Sequence, residues 1–260
     1  MPTIRIGPYE VSRFICGGNP FSGFSHMSDV KSDHFRRTLR DNIPKILSIL
    51  EAGRAEGMTA FLSRGDAHMF EVIRRLRDTA CRDLVWITQT APERTPVEEN
   101  IDEIVGCGTQ MIYLHGGFVK RLYDDGQIER VRDYLKRIHD AGALAGMASH
   151  EPRAHLYAEE HGFETDFHCV PMRSIPEEPG VVDDETLAVE VANTLSKPVI
   201  LYKVLAAGRI APKAAFKHVF SRVKRDDFAV CVGTTYEEEI VCDIDLLKEF
   251  VTGETLLQRH

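Results

Sequence analysis

The sequence predicts a closed (β/α)8 (TIM) barrel with a short N-terminal β-hairpin, an α/β fold, on three observations. Short apolar runs alternate strictly with longer amphipathic ones, the order that builds a parallel sheet. Eight such pairs occur along the chain. The 260 residues match the roughly 250 that one such barrel fills as a single domain. The expectation is one domain over 1–260, with the hairpin in 1–12 closing the N-terminal end of the barrel.

The hairpin rests on Thr3–Ile6 and Tyr9–Val11, separated by the turn pair Gly7-Pro8. The predicted barrel strands are Phe14–Gly17, Met58–Leu62, Leu84–Thr88, Met111–Leu114, Ala143–Ala148, Asp166–Val170, Pro198–Tyr202 and Phe228–Val232. Most are apolar almost throughout and rich in β-branched or aromatic residues, as strands covered on both faces must be. Helical periodicity marks Ile43–Glu56, His68–Asp78, Pro96–Gly106, Ile128–Ala141, Ala154–His161, Asp184–Ser196, Pro212–Val223 and Tyr236–Phe250. Their ends carry the expected signals: acidic Asp183, Asp184 and Glu185 at one start, Pro212 at another, and Gly142 after a third. The long polar stretches Asn19–Arg40 and Pro171–Val182 follow the first and sixth strands, so they read as βα loops on the face where barrels place their sites.

Composition narrows the function classes. At 43% hydrophobic and 28% charged residues, the chain is neither disordered nor collagen-like. Its net charge of −8 and lack of a basic run argue against nucleic acid as a partner. No apolar stretch of about 18 residues spans a membrane, and the opening MPTIRIGPYEVSR has no apolar signal core. The six cysteines are scattered without a C-x-x-C pair, which fits reduced, mostly buried thiols in a cytoplasmic protein. The expected partner is a small-molecule substrate; oligomeric state is left open.

The hairpin followed by VSRFICGGNPF resembles the opening of aldo/keto reductases, and further pieces follow in order. They are GMTAF at 57–61, MIYLH at 111–115, AGALAGMAS at 141–149, YKVLAAG at 202–208 and VGTT at 232–235. The resemblance implies a barrel that reduces carbonyls with NADPH, using Tyr, Lys, Asp and His. Of that tetrad only His115 is matched; the Asp position falls at Leu62, the Tyr position near Ala67 and the Lys position at Gln89. Tyr202 matches the tyrosine that stacks on nicotinamide, and Gly233 and Thr234 match the cofactor loop. Where the family places basic residues on the 2′-phosphate, this chain has Glu237, Glu238 and Glu239, which opposes NADP; NAD is compatible, a glutamate being able to bond a ribose diol.

Polar side chains crowd the C-terminal strand ends: Asn19, His26, Arg64, Asp66, His68, Gln89, His115, His150, His155, His168, Lys203 and Arg209. Six of the eleven histidines fall on or beside this rim. Two readings stay open. In the first, Asp66, His68, His115 and His150 hold a divalent metal such as zinc, manganese or iron. In the second, the same four act without metal as acids and bases. Asp66 has a structural alternative as a helix cap. Asn19, His26, Arg64, Gln89, His168, Lys203 and Arg209 are the candidate substrate contacts. The small residues of Ala206–Ile210 suggest an anion site after the seventh strand.

The expected function is an enzyme for a small sugar-like or carbonyl substrate, working by proton transfer as a lyase, isomerase or hydrolase. The alternatives are an atypical NAD(P)-dependent oxidoreductase and a non-catalytic binding or regulatory barrel.

Overall fold

A computed structural model describes residues 1–173 and 185–253. Strands β1 (Thr3–Ile6) and β2 (Tyr9–Ser12) form an antiparallel hairpin with Ile4 opposite Val11. Gly7 turns it at φ +55°, a conformation that disfavours a Cβ. Ile4, Ile6 and Val11 are buried among the barrel-interior side chains. The hairpin therefore plugs the N-terminal end, as its alternating pattern predicts.

Eight parallel strands then close into a barrel in the order β10-β3-β4-β5-β6-β7-β8-β9. They are β3 (Phe14–Gly17), β4 (Ala60–Arg64), β5 (Val85–Gln89), β6 (Met111–Leu114), β7 (Leu144–Ala148), β8 (Phe167–Pro171), β9 (Val199–Tyr202) and β10 (Phe228–Gly233). Every predicted strand is present to within two residues at each end. The pleat sends alternate residues inward. Ile15, Ala60, Ile87, Met111, Tyr113, Phe167, Cys169 and Ile200 share one interior cluster, while Phe14, Cys16, Phe61 and Trp86 face the helical layer.

The helices are α1 (Asp29–Phe35), α2 (Ile43–Ala55), α3 (Ala67–Leu76), α4 (Val97–Gly106), α5 (Gly116–Asp124), α6 (Arg130–Asp140), α7 (Arg153–Glu160), α8 (Glu185–Thr194), α9 (Pro212–Arg222) and α10 (Glu237–Thr252). Gly142 takes φ +82° just beyond α6 and Pro212 opens α9, as expected. Asp183 and Asp184, most of the loop predicted over 171–182, and His260 lie outside the described residues.

Two helices correct the sequence reading. The stretch 19–40, expected to be a loop, contains α1 and a π-helical turn at Arg36–Arg40. Only Ser32 and Phe35 of α1 are buried, so its periodicity is faint; Ser28 caps it by accepting from the Lys31 N–H. Helix α5 begins on two glycines, which read as a loop. Its buried Val119 and Leu122 are set by tertiary packing. All six cysteines are free; three are buried and only Cys242 is exposed.

His168 departs from its expected place. It points outward from β8, fully buried, with Nδ1 3.0 Å from Nδ1 of His155 on α7 and Nε2 3.2 Å from Thr165 Oγ1. Glu159 lies 3.3 Å from the same Nε2. His168 and His155 therefore join helix to sheet and do not face the barrel mouth. Burial lowers both pKa values, that of His155 far below its ordinary value of 6.5. The unfolded chain then binds protons that the folded chain refuses, so stability present above about pH 6.5 should be lost as pH falls. The folded protein should therefore be less stable at pH 5 than at pH 7. Urea unfolding at pH 7 and pH 5 checks this; the drop should shrink in His155→Phe, and an unchanged drop would exclude the pair as its source.

Candidate active site

The C-terminal ends of β5, β6, β7 and β9 bring the main polar cluster together. Gln89 closes β5, and its Oε1 accepts from the Tyr113 hydroxyl at 2.9 Å. Tyr113 is 4% exposed, with burial holding its phenol neutral by pushing the pKa well above 10. Below it the ring of Phe167 meets Tyr113 edge-on at 6.4 Å.

His115 follows β6 and caps α5. Its Nδ1 accepts from the Phe118 N–H at 3.3 Å, and its own N–H donates to Thr90 Oγ1 at 3.0 Å. A backbone N–H can only donate, so Nδ1 carries no proton and the neutral ring carries it on Nε2. His150, after β7, stands with its ring centroid 6.2 Å from that of His115. Its N–H donates to the Gly116 carbonyl at 3.3 Å.

Gly116 is the joint of this arrangement. A Cβ on it would lie 2.9 Å from His150 Cδ2, 3.1 Å from His150 Nε2 and 3.1 Å from Tyr202 Oη. The two side chains thus flank one backbone position across the mouth. Gly116→Ala should displace both, and a fold of ten or more in kcat is expected to be lost with the far-ultraviolet spectrum unchanged. Full activity in that variant would show that the two groups do not act together. Lys203 adjoins Tyr202, its ammonium 5.9 Å from the ring centroid, and has φ +59°.

The other candidates are placed differently. Asn19 Nδ2 lies 3.4 Å from His26 Nε2, and Arg209 donates to the carbonyls of His26 and Ala206. These residues tie the loop after β3 to the loop after β9. The expected anion site at Ala206–Ile210 is corrected: the N–H groups of Ala206, Gly208, Arg209 and Ile210 all donate to carbonyls within the turn.

The metal set is also corrected. Among the described residues, no three His, Cys, Asp or Glu side chains are placed to hold an ion. Asp66 caps α3 by accepting from the Met69 N–H at 3.0 Å, and it lies 3.1 Å from Arg64 Nε. His68 donates from Nε2 to the Phe21 carbonyl at 3.1 Å. Both belong to the β4–α3 corner, while His115 and His150 belong to the mouth.

The loop expected to hold a cofactor is partly closed. Thr234 is fully buried with its Oγ1 3.3 Å from Cys16 Sγ, while Gly233 is exposed at the end of β10. At the N-terminus of α10, Glu239 accepts from the N–H and hydroxyl of Thr235, and Glu237 pairs with Lys45 and Ser48. Lys45, beside this helix end, is therefore already paired. The residues present do not fit a 2′-phosphate.

Sequence reasoning missed Tyr113 and Gly116 as parts of the mouth, and Ser22, Arg36, Arg40 and Arg94 around Arg64. The inward parity of Tyr113, two residues before His115 on a strand, was the available signal. The arginines come from segments far apart in sequence.

Solved structures resemble the whole barrel. A protein described as an aldo-keto reductase from Pseudomonas aeruginosa superposes with a TM-score of 0.69 at 16% identity, over 96% of this chain and 94% of that one. The Klebsiella pneumoniae aldo/keto reductase, in complex with NADP and acetate, gives 0.61 at 15%, over 99% and 93%. The chain has an aldo/keto reductase-like fold. The N-acetylmannosamine-6-phosphate 2-epimerase of Clostridium perfringens gives 0.52 at 20%, over 80% of this barrel and 85% of its own chain. No family model matches the chain, and no curated protein does. No helix among the described residues is long and apolar enough to cross a membrane.

Proposed function

We propose that the chain is an enzyme for a small carbonyl-containing, sugar-like substrate, working by proton transfer as a lyase, isomerase or hydrolase. The observation that carries this is the meeting of His115, His150 and Tyr202 around Gly116 at the barrel mouth. The Nε2–H of His115 holds a substrate oxygen, and charge developing there is stabilised by a fixed donor. His150 moves the proton, with Tyr202 beside it. Gln89 uses Oε1 on Tyr113 and keeps its amide N–H groups for a second oxygen. Lys203 adds positive charge at the same edge.

Hydride transfer is the second reading, supported by the fold shared with an NADP-bound reductase and by Tyr202. Against it stand Leu62, Ala67 and Gln89 at three tetrad positions and the acidic start of α10. The fold serves reductases and an epimerase alike, so the side chains must decide.

The test uses small aldoses and ketoses in deuterated water, followed by proton NMR, with and without NADH or NADPH. Proton transfer predicts loss of the C–H signal next to the carbonyl without nicotinamide. Carbonyl reduction that consumes NADH or NADPH, with no such exchange, would replace this reading by the second. Neither outcome across the panel would move weight to a binding or regulatory barrel.

A further inference from the structure

Beside the mouth lies a second concavity of about 250 Å3, walled by the loop after β3, the turn at Arg36–Arg40 and the ends of β4 and β5. Arg36, Arg40, Arg64, Arg94, His68 and Ser22 line it. In a chain of net charge −8, four guanidinium groups on one small cavity are a deliberate concentration of like charge. Coulomb repulsion among them is relieved by carboxylates, three of which lie off the lining and leave the guanidinium groups facing the cavity.

The counter-charges are arranged from behind. Asp33 holds Arg36 at 2.5 Å, Glu103 holds Arg94 at 2.8 Å, and Glu93 pairs with Arg64. None of these three acids lines the cavity. Asp66 does, but one of its oxygens takes the Met69 N–H and the other faces Arg64. Arg40 has no acidic partner among the described residues. Each paired arginine retains donors, since a guanidinium carries five N–H groups in a planar fork.

A second observation is independent of charge. Ser22 is 7% exposed, lines the cavity, and its Oγ has no hydrogen-bond partner. A buried hydroxyl left without a partner is unfavourable, and a ligand oxygen would satisfy it. Phe24 supports the wall, with the Arg64 guanidinium 5.4 Å from its ring centroid.

We propose that this cavity binds a dianionic phosphate-ester group carried by the molecule that the mouth takes. A single bidentate arginine suffices for a carboxylate, whereas several guanidinium groups and a hydroxyl suit the three outer oxygens of a phosphate ester. The connection to the mouth runs through the sheet: Arg64 pairs in register with Gln89, Gln89 bonds to Tyr113, and His115 lies two residues further. That the same molecule spans both places rests on the reading of the mouth above; the anion site itself does not.

The test titrates inorganic phosphate, then acetate, into the intact chain by calorimetry, with thermal melting as a second readout. Saturable phosphate binding is expected, with acetate much weaker. The double variant Arg40→Gln/Arg94→Gln should weaken phosphate at least tenfold, and Ser22→Ala should weaken it less while melting no lower than the parent. His115→Ala should bind phosphate like the parent. Absence of saturable binding, acetate binding as tight as phosphate, or unchanged affinity in the double variant would overturn the anion site. A phosphate site that fails while His115→Ala still abolishes turnover leaves the mouth reading intact. Phosphate bound normally, with turnover indifferent to His115, sinks the mouth reading alone.

Discussion

His115→Ala is expected to lower kcat/KM by roughly 10²–10⁴-fold, the range for a positioned proton-handling group. The reason lies in how the ring is fixed. Its Nδ1 is committed to the Phe118 N–H at the start of α5, and its backbone is fixed by Thr90. The neutral ring can therefore offer only Nε2–H to a ligand, and protonating Nδ1 would break the cap. In the proposed mechanism His115 is a neutral donor to an oxygen, a sharper role than that of a general base. His115→Gln keeps an N–H donor of similar reach and should recover part of the loss. Equal loss in the glutamine and alanine variants would return the general-base role to His115. Circular dichroism of each variant separates chemistry from folding, since losing the cap costs helix stability as well.

The largest stability effect is expected at Phe167. Phe167→Ala should cost about 3–5 kcal/mol and lower Tm by roughly 10 °C. Phe167 is fully buried in the barrel interior. A Cβ on Gly146 would lie only 2.5 Å from its ring, so the small residue on β7 is what admits the phenyl group. The neighbouring strand cannot move in to refill the space, because β7 is fixed to β6 and β8 by the ladder. The resulting void would lie under Tyr113, loosening the Tyr113–Gln89 bond. KM should therefore rise along with the loss in stability. A melting point within about 2 °C of the parent would show that the barrel floor repacks, against the cavity term.

The strands were legible because fully covered parallel strands are apolar on both faces, a local property of each run. Met111–Leu114 is strand in both the reading and the structure, and Leu84–Thr88 is displaced by only one residue. Helix α5 was not legible, since two glycines weaken its start and tertiary contacts with β7, α6 and α7 make it worth forming. The site divided in the same way. His115 stood out as the one retained member of a known pattern. His168 was misread, because its place on a strand is local while the face it presents depends on the pleat. Phe167 and Cys169 face inward, so His168 must face α7.

By itself the sequence determined the barrel, its hairpin plug and the departure from a hydride-transfer tetrad, since periodicity, length and residue identity are properties of the chain alone. Tertiary structure decided which rim residues meet. Asp66 and His68 went to a helix cap and a loop carbonyl, so the metal set dissolved. His115, His150 and Tyr202 gathered around one glycine, and four arginines from the π-helical turn, the end of β4 and the loop after β5 gathered on one cavity with Ser22. Such convergence arises from barrel closure, which brings distant strand ends within a few ångströms whatever their separation in sequence.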